Sequence, residues 1–148
     1  MDVRERNNVR VMGPAGGPTM VFAHGFGGDQ SMWRFVAPAF AADHRVVLFD
    51  HSGCGASHPA AYDPARHAEL GGYVADMVEV VEDVADEPVI LVGHSVSAVI
   101  ALLAAADRPD LVDRLVLVGP SPRYIDEEGY RGGFSAELAS TAPSDNDV

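Results

Sequence analysis

A single cysteine, Cys54, stands in 148 residues, which rules out an internal disulfide framework and fits a reducing compartment. Positive charge is scarce as well: 10 Lys and Arg face 22 Asp and Glu, a formal net charge of −12 with a pI near 4.6. Such a surface repels phosphate backbones, which argues against nucleic-acid binding and against adhesion to anionic membranes. The start, Met1-Asp2-Val3-Arg4-Glu5-Arg6, is charged and lacks the apolar segment of a secretory signal. No apolar run approaches the roughly 20 residues that a bilayer requires. These absences lead to the expectation of a soluble cytoplasmic protein with neither a nucleic-acid nor a membrane partner.

What is present is ordinary globular composition, 47% hydrophobic and 22% charged, at a length that suits one domain with an adequate core. Short apolar runs alternate with helical patterns. Strands are expected over 9–12, 19–23, 46–49, 89–92 and 115–118. The last four are continuously apolar, the pattern of strands buried on both faces of a parallel sheet. Helices are expected over 31–42, 73–85 and 96–106. The second has Tyr73, Met77, Val80, Val81 and Val84 on one face and Asp76, Glu79, Asp83 and Asp86 opposite, an amphipathic surface helix. The third is apolar nearly all round, which predicts a buried helix ending before Arg108-Pro109. Strand–helix alternation predicts an α/β fold with a doubly wound, mostly parallel sheet and helices on both faces. Residues 1–134 read as the domain; the tail from Ser135 reads as disordered, above all in its last ten residues.

The strand–helix junction Val92-Gly93-His94-Ser95-Val96-Ser97-Ala98 is the first motif with chemistry in it. A serine on such a sharp turn lifts its Oγ above the sheet, and the helix N-terminus behind it favours developing negative charge. Crowding requires small residues two before and two after the serine, here Gly93 and Ser97. Serine thus replaces the second glycine of the G-x-S-x-G pattern. The same residues also fit an ordinary turn that merely holds a serine.

His24-Gly25-Phe26-Gly27-Gly28, after an earlier buried strand, supplies context. Acyl transfer needs two backbone N–H donors on the oxyanion; the residue after the nucleophile, Val96, and the earlier loop, most plausibly at Phe26, are placed to give them. An ordinary glycine-rich turn is the alternative. A dinucleotide loop fails at Gln30, where G-x-G-x-x-G needs its last glycine, and no cofactor or metal is expected. The stretch from Asp50 to Ser57 reads as structural, with Asp50 accepting backbone N–H bonds. Cys54 sits in that loop, where a thiol is commonly inert.

These elements, in this order, resemble the α/β-hydrolase superfamily, and more narrowly the group of RsbQ-like bacterial stress regulators and plant karrikin and strigolactone receptors. The match is carried by Arg6 to Gly13, His24 to Trp33, Asp43 to Asp50, Val92 to Ala98, Ser121-Pro122-Arg123-Tyr124 and Gly129 to Phe134, within roughly residues 4 to 138. The resemblance implies an α/β-hydrolase fold and a Ser-His-Asp hydrolase with a helical lid over an apolar pocket. Ser95 would be the nucleophile, with the Phe26 and Val96 amides as the oxyanion hole. Phe26, His94 and Tyr124 would be the ligand-binding residues. The implied ligand is a small apolar ester or lactone, and the implied partner is a PP2C-type phosphatase that activates a general stress sigma factor.

Members of that group run to nearly twice this length, so the chain is expected to stop before the lid, the last strands and the triad histidine and acid. His94 should point away from Ser95, and His24 should brace the oxyanion loop. His44, His51, His58 and His67 sit in loops with no reason to converge on Ser95. Readings from different classes follow: a serine hydrolase when complete, or alternatively a non-catalytic ligand-binding and signalling module or an inactive truncated fragment. A dehalogenase or epoxide hydrolase of the same fold needs an aspartate where Ser95 stands.

Overall fold

A computed structural model describes residues 1–135. Five strands form one sheet: β1 (Arg10–Met12), β2 (Thr19–Ala23), β3 (Arg45–Phe49), β4 (Val89–His94) and β5 (Val112–Val118). Their order is β1-β3-β2-β4-β5, with β1 antiparallel to β3 and every other pair parallel. Three helices accompany them, α1 (Val3–Arg6), α2 (Leu70–Val84) and α3 (Val96–Asp107). This is the mostly parallel α/β sheet that the strand–helix alternation predicts, and its order fits the α/β-hydrolase fold that the resemblance implies.

Side chains alternate across a strand, and β2 and β3 divide their residues between two apolar layers accordingly. Val21, Ala23, Val47 and Phe49 pack on α2 and α3 through Met77, Val80, Val84, Ile100 and Ala104. Met20, Phe22, Val46 and Leu48 face the opposite layer, which holds Trp33 and Ala37. Burying each of the larger side chains stabilises the fold by about 1.5–3 kcal/mol.

Four expectations need correction. The segment 31–42 is not an α-helix but two short 3-10 turns, Gln30–Trp33 and Ala37–Phe40. Pro38 explains the break, because it has no N–H to donate and disfavours helical geometry at the residue before it. Asp76 does not lie on a solvent face: it is 1% exposed and sits among Ser52, His67 and Arg66. Sequence periodicity placed it with Glu79 and Asp83, but the 50–70 loop folds over that turn of α2 and covers it. Helix α3 is buried on one side only, with Leu102 and Leu103 exposed. Strand β5, outermost of the described strands, likewise exposes Val116 and Val118 rather than burying both faces. The disorder expected of the tail falls almost wholly on 136–148, outside the described residues.

The connection leaving β2 runs to β3 on one side, and the connection leaving β4 runs to β5 on the other. Adjacent strands whose connections diverge open a crevice at their carboxyl ends, where ligands of such sheets bind. Both candidate motifs, after β2 and after β4, lie there.

Candidate active site

Only Ser95 separates β4 from α3, and it does so at φ 57° and ψ −123°. A left-handed φ on a residue with a β-carbon is strained by about 1–3 kcal/mol, and the surrounding contacts must hold it there. Its N–H donates to the Val118 carbonyl at 2.8 Å, and its carbonyl accepts from Ala98 N–H at 2.9 Å. The turn is as crowded as the sequence suggests: a β-carbon on Gly93 would lie 2.8 Å from Ala98 Cα and collide with the Ser97 carbonyl.

The loop after β2 presses on the same turn. A β-carbon on Gly25 would lie 2.6 Å from His94 Nδ1. Gly27 takes φ 66°, and Gly28 N–H closes the loop on the Gly25 carbonyl at 3.3 Å. Among the described residues, the Phe26 and Val96 amides donate to no protein carbonyl. Val96 N–H is among the four N-terminal amides that a helix leaves without internal partners. Both residues line a cavity of about 250 Å³ whose walls also include His51, Leu70, Tyr73 and Ile100. The Phe26 ring is exposed.

The remaining candidates fall elsewhere. His94 turns beneath the Gly25 loop, edge-on to Trp33 with ring centroids 6.5 Å apart, and its Nδ1 is buried without a partner among the described residues. Tyr124 lies in the segment after β5, and among the described residues the cavity walls include none of Ser95, His94 and Tyr124. All six histidines are described, and none hydrogen-bonds to Ser95 Oγ. His24 braces the loop after β2: its Nδ1 meets the Gly25 carbonyl at 2.9 Å, and its Nε2 accepts from His51 N–H at 3.1 Å. Asp50 accepts from Gln30 and Ala56 N–H at 2.8 and 3.0 Å and from Asn8 Nδ2 at 2.7 Å.

Two features escaped the sequence. His51 is 4% exposed and meets Ser97 Oγ at 2.6 Å through Nε2, while Ser97 Oγ also donates to the His24 carbonyl. Burial and the neighbouring His24 push the His51 imidazole down to about 3, against the pull of Asp76 and Asp50, so it is neutral near pH 7. The only signal was the hydroxyl at position 97, where a glycine is usual. The second feature is the Asp76 cluster, with Ser52 Oγ at 2.6 Å, Arg66 Nη2 at 2.7 Å and His67 Nε2 at 3.0 Å. Burial alone would raise the Asp76 carboxyl, but these hydrogen bonds and the Arg6 charge outweigh it and hold the group below the usual carboxylate range.

A strained serine between a buried strand and a helix N-terminus, under a glycine-rich loop, is a strand–turn–helix geometry found in α/β-hydrolase sheets. The description of the α/β-hydrolase fold matches residues 18–146. The chain belongs to the α/β-hydrolase family. A rice (Oryza sativa subsp. japonica) protein named a "probable esterase" is 46% identical over 135 residues, covering 91% of this chain and 50% of the relative. A karrikin insensitive 2 receptor of Petunia hybrida is 44% identical over 135 residues, with the same coverage of 91% and 50%. A solved hydrolase from Oleispira antarctica superposes with a TM-score of 0.85 at 36% identity, over 92% of this chain and 50% of that one. The chain thus spans about half the length of the curated relatives it matches. No helix among the described residues is long and apolar enough to cross a membrane.

Proposed function

We propose that this chain carries the nucleophile and oxyanion hole of a serine hydrolase acting on ester or lactone bonds in small, largely apolar molecules. The observation that carries the reading is Ser95 itself, held at a left-handed φ of 57° where the Gly25-Phe26 loop meets the first turn of α3. Ser95 Oγ attacks the substrate carbonyl, and the charge that develops on the carbonyl oxygen is taken up by the Phe26 and Val96 amides. The alcohol leaves, and water releases the acid. The Oγ proton passes to a base, and none of the six histidines hydrogen-bonds to Ser95 Oγ. On this reading the base is a group that is not held against Ser95 among the described residues.

Exogenous imidazole can take the place of that base. Incubation with a fluorophosphonate, followed by intact mass and peptide mapping, is expected to give one adduct on Ser95 at a rate that rises with imidazole. An adduct elsewhere, or one that persists in Ser95→Ala, would overturn the reading.

The identity to a receptor favours a second reading, in which ligand occupancy rather than turnover is the output. The resemblance to stress regulators extends it to a cytoplasmic signalling role with a PP2C-type phosphatase as partner. Ligand binding that survives Ser95→Ala, with no acyl adduct on the unmodified protein, would select the receptor.

A further inference from the structure

The position two residues after the nucleophile carries a hydroxyl, and its surroundings fix where each proton lies. A carbonyl oxygen can only accept, so Ser97 Oγ–H donates to the His24 carbonyl. That uses the one proton of Ser97, so its contact with His51 Nε2 at 2.6 Å is one in which the imidazole donates. His51 is therefore the Nε2–H tautomer with a bare Nδ1, and that nitrogen is buried with no donor beside it among the described residues. The His24 ring is fixed in the same way: Nε2 accepts from His51 N–H, so Nδ1 carries the proton and donates to the Gly25 carbonyl. The backbone of His24-Gly25 is thus gripped from two sides immediately before the Phe26 amide. All three polar side chains are buried, at 0% exposure for His24 and Ser97 and 4% for His51.

We propose that Ser97 and His51 are positioning residues that aim the Phe26 amide, through a one-way relay from His51 Nε2–H to Ser97 Oγ–H to the His24 carbonyl. The relay ties three segments together: the loop after β3, the first turn of α3 and the oxyanion loop after β2. It explains why a serine suits position 97, where crowding alone would accept glycine. The inference rests on Ser95 being the nucleophile and on Phe26 lending its amide to the oxyanion.

The test compares the unmodified chain with Ser97→Ala, His51→Phe and His51→Gln. Gln can present an N–H close to the place of Nε2, whereas Phe fills the volume without a donor. Ser97→Ala and His51→Phe should slow imidazole-assisted phosphonylation of Ser95 by about 10-fold or more, since small misplacements of such groups are costly. They should also speed exchange of the Phe26 amide proton, and His51→Gln should recover part of both. Unchanged labelling and unchanged Phe26 exchange in folded Ser97→Ala and His51→Phe would overturn the relay while leaving the nucleophile in place. Should those variants not fold, the imidazole 15N spectrum of the unmodified protein decides: the Nε2–H tautomer of His51 supports the relay and the Nδ1–H tautomer ends it. Labelling that ignores Ser95→Ala would instead defeat the functional reading, with Phe26 exchange and the tautomer still judging the relay.

Discussion

Gly25 and Ser95 approach so closely that a β-carbon on Gly25 would stand 3.3 Å from the β-carbon of Ser95. The same added carbon would be 2.6 Å from His94 Nδ1, closer than atoms tolerate. Gly25→Ala should therefore lift the loop off the elbow and move the Phe26 amide. Overpacking of this kind costs about 1–3 kcal/mol, and loss of one oxyanion donor costs about 10²-fold or more in rate. Phosphonylation of Ser95 in imidazole is the measurement. A Gly25→Ala protein that labels at the unmodified rate would show that the loop takes no part.

Ser95 at φ 57° stores strain that a glycine would not. Ser95→Gly should be more stable than Ser95→Ala by about 1 kcal/mol, because both lose the hydroxyl and only alanine keeps the β-carbon. Denaturant midpoints of the two variants, together with their failure to label, make the comparison. Equal midpoints would mean that the turn relaxes once the side chain is gone. The strain would then not be a property of the elbow.

The strands, the elbow and the glycine-rich loop were legible because each is a local pattern. An apolar run ending at His24 or Gly93, followed by small residues, leaves few other conformations. Ser95 and Phe26 could be marked on that basis alone. What stayed hidden depends on contacts between distant segments. Asp76 reads as a solvent-facing residue of α2 until the 50–70 loop closes over it. His51 reads as a loop residue until Ser97, 46 positions later, meets its ring. The break at Pro38 is itself a local signal, since proline has no N–H to donate within a helix.

The Asp76 cluster pins that loop. Its carboxylate is 2% exposed and accepts from Ser52, Arg66 and His67. Removing one member of a buried charged network leaves its partners unpaired, at a cost of about 3 kcal/mol. Asp76→Ala should lose about that much in urea unfolding, and the 50–70 loop should become the first site of limited proteolysis. Unchanged stability would show that the partners find water instead.

Acid should destabilise the protein through His51. Its folded value of about 3 lies below the ordinary 6.5, so between these two the unfolded chain takes up a proton that the native protein refuses. Stability from this group is fully present above 6.5 and falls by about 1.4 kcal/mol per pH unit as acidity rises toward 3. Asp76 acts lower: its depressed carboxyl contributes above 3.8, the ordinary value, and that contribution is lost as pH falls through its folded value. Between about pH 7 and about pH 5, then, His51 alone should remove about 2 kcal/mol, and Asp76 almost nothing. His51→Phe has no proton to gain there, so its stability should decline less over that interval by about the same 2 kcal/mol. Urea midpoints for both proteins at the two pH values measure the difference. Parallel decline of the two would place the His51 titration in the ordinary range and remove burial as its governing influence.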